Sequence, residues 1–264
     1  MHPILGVLEL GPFTRVVPSY GVMLSTALLV GASLTTRGAA RAALDPFLVI
    51  ALVAIAVGGG LAGSYALFVG VEWVRTGSPM QAFHTGGLVF YGGLLGGAAA
   101  LAIGARRLRV PLPALADVAV PGLAAAHALG RIGCFLAGCC YGRPWSGPLA
   151  VTFTDSLAPA AHPSVQRHPV QLYESGALLL LALAFTVLPA RVPALRVGSG
   201  RRALAYVAAY AVLRLGLETF RGDADRGLLC GVISTSQLVA LALLAAALLG
   251  LLIVTPRSAG TRAV

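Results

Sequence analysis

Two arginines lie deep inside long apolar stretches of the sequence, and their placement is the strongest indication of chemistry. Arg131 stands near the end of the apolar stretch 112–134, and Arg214 stands within 201–220. A charged side chain at the centre of a membrane helix costs roughly 2.5–3.5 kcal/mol on insertion scales, so it is a functional-site candidate. Arginine stays protonated, and its planar guanidinium binds phosphate through paired hydrogen bonds. The sequence therefore predicts a membrane site for an anion, with a lipid phosphate as the expected ligand.

The surroundings of Arg131 favour the close approach of a ligand. Gly130 and Gly133 leave space beside it, and Cys134 follows three residues later on the same helical face. The alternative is structural: Arg131 pairs with a carboxylate or with helix carbonyls, or it extends towards the membrane surface. We expect Arg131 and Arg214 to share one hollow without being neutralised by carboxylates. Neutralisation of both guanidiniums by carboxylates, or their separation without a shared hollow, would overturn the interpretation built on them.

A polar stripe runs along the sixth apolar segment. Its first four members are four residues apart and share one helical face, with an arginine about one turn beyond them: Tyr206, Tyr210, Arg214, Glu218 and Arg221. The alternative is that Arg214 and Glu218 form only an internal ion pair. Such a pair does not require two tyrosines in line with it, so we expect the stripe to face a polar cavity.

The segment 84–97 begins with His84 and carries three glycine pairs around Tyr91. Glycines four residues apart allow close helix packing, and this structural interpretation suffices for the glycines themselves. It leaves Tyr91 unexplained, because a phenol beside Gly92 and Gly93 could reach a bound ligand.

The segment 168–174 marks the start of the fifth apolar stretch. Pro169 suits the first position of a helix, and Gln171 is expected to cap it. His168, Tyr173 and Glu174 are then candidates for lining the outer mouth of the site.

The composition predicts a membrane protein. Hydrophobic residues make up 58% of the 264 residues and charged residues 11%, whereas soluble domains carry about 25% charged residues. The net charge is +10, and arginine supplies all the lysine-plus-arginine total. Apart from Arg131 and Arg214, most of these arginines fall in loops between the apolar stretches, where they orient a chain in the membrane, so we expect no nucleic-acid partner.

Hydropathy predicts an all-α integral membrane protein with seven transmembrane helices in one polytopic domain, 1–264. The expected spans are 19–36, 46–73, 86–105, 112–134, 169–190, 201–220 and 235–254. Arginines cluster after spans one, three, five and seven, so the positive-inside rule places the N-terminus outside and the C-terminus in the cytoplasm. No cleavable signal peptide is expected, because Glu9 and Pro12 interrupt the apolar start.

The longest polar connection, 139–167, is expected to form a small outer-face head between helices 4 and 5, with a short strand near 149–153. Cys139, Cys140 and Cys230 are expected at this outer face. A disulfide from Cys139 or Cys140 to Cys230 and free, packed thiols are both open interpretations. No metal site is expected, because no histidine pair stands at ligand spacing from these cysteines.

Together these segments resemble the prolipoprotein diacylglyceryl transferases of bacterial inner membranes. The resemblance runs from Tyr20 to Arg221 and rests on four motifs in family order: 86–93, 130–135 with Gly142 and Arg143, 168–174, and the stripe 210–221. It implies that a diacylglyceryl group moves from phosphatidylglycerol to the lipobox cysteine of a preprolipoprotein signal peptide. A thioether forms and glycerol 1-phosphate is released, without a metal, nucleotide or other cofactor.

The resemblance also implies roles for individual residues. Arg131 and Arg214 match the positions that bind the phospholipid headgroup, and two permanent cations suit a departing phosphate. The other residues on motif positions are expected to orient those arginines or the substrates: Tyr20, Gly92, Gly93, Cys134, Arg143, His168, Tyr210, Glu218 and Arg221.

The route of the thiol proton departs from the family pattern. The family often has histidine, a suggested base for the cysteine, where this chain has Tyr91, and a phenol near pKa 10 is a poor base unless Arg131 or Arg214 lowers its pKa. His84 stands seven residues earlier, on the same face of a continuous helix, and could substitute. Alternatively, the substrate phosphate helps to remove the proton. The family also often has asparagine at Cys134 and an acidic residue at Cys139.

The sequence is also compatible with two other functions. A phospholipid-binding paralogue with a changed acceptor would explain Tyr91. A small transporter for an anionic solute would explain the buried arginines, although it gives no reason for an outer-face head.

Overall fold

The computed structural model describes residues 2–11, 13–78, 87–222, 228–229 and 233–255. These residues form seven α-helices and six short strands. The helices are α1 (Ser19–Arg41), α2 (Pro46–Thr76), α3 (Phe90–Arg107), α4 (Leu112–Ala137), α5 (Val170–Arg191), α6 (Arg201–Glu218) and α7 (Thr235–Ile253). Each coincides with a predicted span to within a few residues, so the helical architecture is confirmed.

Five of these helices, α1, α2, α4, α5 and α7, are long and apolar enough to cross a membrane. Helices α3 and α6 are shorter, at 18 residues each. A helix of that length spans about 27 Å, slightly less than the roughly 30 Å of a bilayer core. Helix α6 also contains Arg201, Arg202, Arg214 and Glu218, which lower its hydropathy. The chain is therefore a multi-pass membrane protein.

The chain divides into two compact units, residues 36–115 and residues 1–35 with 116–264. In the first unit, α2 packs on α3 through glycines. A side chain at Gly63 would clash with the carbonyl oxygen of Gly92, and one at Gly96 would clash with that of Gly59. The expected small-residue packing of the glycine-rich segment is therefore confirmed, with α2 as the partner helix.

The second unit contains α5, α6 and α7 with most of α1 and α4. Its apolar core includes Val120 and Ala124 of α4, Phe185 of α5 and Tyr206 of α6. A hairpin of β1 (Ile4–Leu10) and β2 (Phe13–Pro18) precedes α1.

Asp117 joins the beginning of α4 to the beginning of α6. Its carboxylate is fully buried. Oδ2 accepts hydrogen bonds from the backbone N–H groups of Gly198 and Gly200, both at 2.9 Å, and Oδ1 accepts one from Ala203 at 3.1 Å. Because N–H groups at a helix start have no partner within the helix, this carboxylate both caps α6 and fixes its position.

The connection between α4 and α5 is folded. Strand β3 (Val151–Thr152) pairs antiparallel with β4 (Gln166–Arg167), and Phe153, which follows β3, is fully buried. The strand expected near 149–153 is therefore shorter than predicted. Leu149 has φ +67°, a left-handed conformation that a strand cannot contain. A third small sheet, β5 (Leu228–Leu229) with β6 (Ile233–Ser234), precedes α7.

Candidate functional site

Helices α4, α5 and α6 each contribute one predicted polar residue to a buried cluster: Arg131, Glu174 and Tyr210. Glu174 contacts the other two. The Glu174 side chain is 1% exposed. Its Oε2 lies 3.0 Å from Nε of Arg131, and its Oε1 accepts a hydrogen bond from the Tyr210 hydroxyl at 3.0 Å. A buried carboxylate is stable only when paired, so Glu174 holds Arg131 and Tyr210 in fixed positions.

Arg214 lies one turn beyond Tyr210 on α6. Its Nη2 is 3.0 Å from Oε2 of Glu218 and donates a hydrogen bond of 3.0 Å to Oγ of Ser236 on α7. Its Nη1 is buried and has no hydrogen-bond partner among the described residues. Both Arg131 and Arg214 are close enough to Tyr210 to interact with it electrostatically.

The expectation that the two arginines avoid carboxylates is wrong. Arg131 pairs with Glu174, and Arg214 pairs with Glu218. The physical reason is that an uncompensated guanidinium in apolar surroundings is too unfavourable, so the fold supplies counter-charges. These pairs weaken an argument for anion binding from the arginines alone. Each guanidinium nevertheless has five N–H donors, and each carboxylate contacts only part of them.

Arg143 and Arg221 are brought together by backbone hydrogen bonds between the α4–α5 connection and the end of α6. Gly142 forms a bridge with Arg221, and the N–H of Arg143 donates to the carbonyl of Phe220 at 2.8 Å. The N–H of Gly222 donates to the carbonyl of Tyr141 at 3.1 Å. Two motifs that are far apart in sequence therefore form one structure.

His168 is enclosed by aromatic rings. It stacks on Trp145 with 4.7 Å between ring centroids, and its Nδ1 lies 3.3 Å from the Tyr173 hydroxyl. Burial lowers the pKa of His168, and the positive charge of Arg143 lowers it further. The imidazole is therefore neutral at pH 7 and packs among aromatic rings at the end of the α4–α5 connection, and its expected contact with substrate stays a prediction.

The predicted capping role of Gln171 is wrong. Helix α5 begins at Val170 without a side-chain cap, and Nε2 of Gln171 donates to the carbonyl of Cys139 at 2.7 Å. Since Gln171 is almost fully buried, this bond ties α5 to the turn that follows α4. The helix start is therefore used for tertiary contact.

Cys134, Cys139 and Cys140 are free thiols whose sulfur atoms lie within 4.8 Å of one another. Their sulfur hydrogen bonds raise the pKa of Cys139 and lower that of Cys140. Three potential sulfur ligands therefore lie close together. No metal site was expected here, because no histidine pair stands at ligand spacing from these cysteines. Cys230 lies outside the described residues, so its predicted disulfide stays a prediction.

Tyr20 of α1 packs against Gly133, two residues after Arg131. A side chain added at Gly133 would lie 3.2 Å from Cδ2 of the Tyr20 ring. Tyr91, Gly92 and Gly93 belong to the first compact unit, where Tyr91 is 37% exposed and Gly92 packs on α2. His84 lies outside the described residues. The expected substrate contacts of Tyr91, Gly92, Gly93 and His84 stay predictions.

Sequence reasoning missed His127 and Ser236. Nε2 of His127 lies 3.7 Å from Oε1 of Glu174, and its ring packs edge-on against Tyr210. The sequence did contain an indication for His127, because it precedes Arg131 by four residues and so shares its helical face. Ser236 gave no such signal, because it lies among the polar residues that begin α7.

These helices and their buried ionic cluster define a multi-pass membrane protein with a polar site among α4, α5 and α6. The chain matches the family model described as prolipoprotein diacylglyceryl transferase over residues 6–253. The chain therefore belongs to the prolipoprotein diacylglyceryl transferase family, as the four motifs predicted.

Individual relatives agree with this membership. The chain is 32% identical to the phosphatidylglycerol–prolipoprotein diacylglyceryl transferase of Synechococcus elongatus over 251 residues, which cover 93% of this chain and 85% of that protein. It is 32% identical to the transferase of the same name from Clostridium tetani over 243 residues, covering 91% of this chain and 93% of that protein. A second such transferase from Streptomyces coelicolor is 34% identical over 231 residues, covering 84% and 70% respectively.

Proposed function

We propose that this protein transfers the diacylglyceryl group of phosphatidylglycerol to the lipobox cysteine of a preprolipoprotein. The product is a thioether, and glycerol 1-phosphate leaves. The observation that carries the proposal is the family match over residues 6–253, together with the clustering of its motif residues Arg131, Tyr210 and Arg214. The same match supports a bacterial inner-membrane location.

The chemistry requires stabilisation of a departing phosphate. The bond between the diacylglyceryl carbon and a phosphate oxygen breaks, and negative charge accumulates on that oxygen. Positioned cations in a low-dielectric site stabilise such charge without reorganising. Arg214 is suited to this role because its buried Nη1 has no hydrogen-bond partner among the described residues. Arg131 provides the second guanidinium, and Glu174 and Glu218 hold the two arginines in place.

The remaining site residues receive positioning roles. Tyr210 and Glu218 orient the arginines, and Arg143 and Arg221 extend the positive charge from the cluster towards the head. Tyr20, Cys134 and His168 are proposed to contact the lipid or the peptide around this cluster. Gly92 and Gly93 are proposed to leave space for substrate beside Tyr91.

The expected orientation completes the proposal. With the N-terminus periplasmic and the C-terminus cytoplasmic, the head would lie on the periplasmic side. A translocated signal peptide could then present its cysteine to the site from the bilayer, next to phosphatidylglycerol. Labelling of single introduced cysteines from either side of the membrane tests this orientation.

The central experiment reconstitutes the protein in vesicles that contain phosphatidylglycerol and supplies a lipobox peptide. Mass spectrometry of the peptide then measures thioether formation. We expect Arg131→Ala and Arg214→Ala each to abolish transfer. Arg75→Ala is the matched control, because the Arg75 side chain is 73% exposed and its ion pair among the described residues is with Glu72 on its own helix. Retained transfer in either site variant would contradict the arginine roles.

Two outcomes would redirect the assignment. Phosphatidylglycerol binding without transfer to the peptide would indicate a paralogue with another acceptor. Uptake of an anionic solute that is indifferent to phosphatidylglycerol would indicate a transporter.

A further inference from the structure

We propose that His127 is the group that accepts the proton of the acceptor thiol, and that Glu174 orients it. This inference rests on the proposed transferase function and adds a residue to its mechanism. Neither His127 nor its pairing with Glu174 is part of the motifs that identified the family.

The reaction needs such a group. A free thiol has a pKa of about 8.5, so at pH 7 only a few per cent is the nucleophilic thiolate. The strongest requirement on a base is that it lies at the site with a lone pair available. An imidazole satisfies this near neutral pH, whereas a phenol such as Tyr91 ordinarily does not.

The other described histidines are poorly placed for this task. His162 is exposed in the head and contacts the hydroxyl of its neighbour Ser164. His168 is enclosed by Trp145, Tyr173 and Phe220. His2 precedes the N-terminal hairpin. His127 is the described histidine that lies within the arginine–glutamate cluster.

The contacts of His127 match those of a carboxylate-oriented base. Its Nε2 lies 3.7 Å from Oε1 of Glu174, and the imidazole is 30% exposed while the carboxylate is 1% exposed. At this distance the pairing is electrostatic, and in the tautomer that carries its proton on Nε2, Nδ1 has the lone pair that can take a proton. The Tyr210 ring, 5.1 Å away edge to face, restricts rotation of the imidazole. The buried acid and the accessible ring are the arrangement used to activate nucleophiles elsewhere.

Charged groups from three helices face His127. Arg131 lies on its own helix, Glu174 on α5 and Arg214 on α6, and the Tyr210 ring of α6 packs against the imidazole. Glu174 stabilises the positive charge that develops on the ring during the reaction. The guanidiniums repel that charge, and this repulsion favours later release of the proton.

Atoms and electrons balance in the proposed transfer. The proton of the cysteine S–H moves to Nδ1 of His127, and the sulfur lone pair attacks the diacylglyceryl carbon. The carbon–oxygen bond to phosphate breaks, and its electron pair stays on the phosphate oxygen. Glycerol 1-phosphate leaves as the dianion, and the imidazolium then passes its proton to this product or to water. No oxidant, reductant or metal takes part.

The test compares His127→Ala and His127→Gln with the wild-type protein in the vesicle assay. Loss of a general base lowers a rate by about 10²–10⁴-fold, and we expect this loss at pH 7 for both variants. The deficit should shrink as the pH rises through the thiol pKa, because the thiolate then forms without help. His162→Gln is the matched control and should retain wild-type transfer.

A selenocysteine lipobox peptide gives the decisive readout. Its selenol is ionised at neutral pH and needs no base, so it should restore transfer by the His127 variants to near the wild-type rate with the same peptide. A deficit that is equal for thiol and selenol at every pH would overturn the proposal, because it would indicate a structural role. Transfer within twofold of wild type would also overturn it.

The design separates this inference from the proposed function. If the wild-type protein forms no thioether, the transferase assignment fails. If the wild type is active and the His127 variants match it, only the role of His127 fails. Binding of phosphatidylglycerol to each variant confirms that the site is folded, and His127→Gln, which keeps a polar side chain, replaces His127→Ala if the latter does not fold.

Discussion

Glu174 and Arg131 form a buried ion pair between α5 and α4, with 3.0 Å between Oε2 and Nε. Because Tyr210 and His127 also contact this carboxylate, one side chain of α5 joins polar residues of α4 and α6. Removing one member of a buried pair leaves the other charge uncompensated, and this costs about 3–5 kcal/mol.

A double-mutant cycle tests this relationship. We expect Glu174→Leu to destabilise the protein by about 3–5 kcal/mol, and the double variant Glu174→Leu with Arg131→Leu to lose much less. Equilibrium unfolding in detergent measures the four free energies. Strictly additive losses would contradict direct pairing of the two side chains.

Asp117 predicts a second effect on stability. Asp117→Ala removes an acceptor from three backbone N–H groups at the start of α6, and each unsatisfied buried donor costs about 1–3 kcal/mol. We expect a marked drop in the temperature of unfolding. Asp45→Ala is the control, because Asp45 caps α2 through a single exposed bond to the N–H of Phe47, and loss of a cap costs about 1 kcal/mol. An equal drop in unfolding temperature for both variants would argue against a special role of Asp117 in holding the start of α6.

The glycine contact between α2 and α3 predicts opposite outcomes for two glycines of one helix. Gly63→Ala would force a methyl group into the backbone of α3 at Gly92, so we expect it to destabilise the protein. Gly58→Ala meets no atom within 4 Å and should be neutral or stabilise α2 by up to about 1 kcal/mol. Thermal unfolding of both variants in the same detergent gives the comparison. A tolerated Gly63→Ala would show that the helices can separate at little cost.

His168 predicts a dependence of stability on pH. Its pKa is lowered in the folded protein, by burial and then by Arg143, so the unfolded chain binds its proton more readily. The stabilising contribution is therefore present above about pH 6.5, the ordinary histidine pKa, and is lost as the pH falls below it. We expect wild-type protein to lose more thermal stability between pH 7.5 and pH 5.5 than His168→Gln does. An identical loss in the two proteins would exclude this role.

The sequence predicted the helices well because each one is an uninterrupted apolar stretch with clear ends. Asp45 and Pro46 begin α2 and Gly77 ends it, and these are residue types with known preferences at helix ends. The stripe on α6 predicted that Tyr210 and Arg214 belong to one polar site, and both lie at the buried cluster.

The partners of these residues could not be predicted, because they come from other helices. The pairing of Arg131 with Glu174 depends on how α4 and α5 cross, and the sequence spacing of either residue contains no information about it. The same holds for His127, whose nearest carboxylate is 47 positions away along the chain. The predicted strand 149–153 was longer than the observed strand Val151–Thr152. The left-handed backbone at Leu149 limits it, and leucine gives no reliable sequence signal for that conformation.

The backbone hydrogen bonds between residues 141–143 and residues 220–222 have a mechanical consequence. Backbone bonds hold Arg143 to Phe220 and Gly222 to Tyr141, and backbone geometry does not adapt as a side chain does. Helix α6, which carries Arg214, ends directly at this junction. A displacement of residues 141–143 would therefore pass through the backbone to the end of α6, and Arg214 lies one turn before that end.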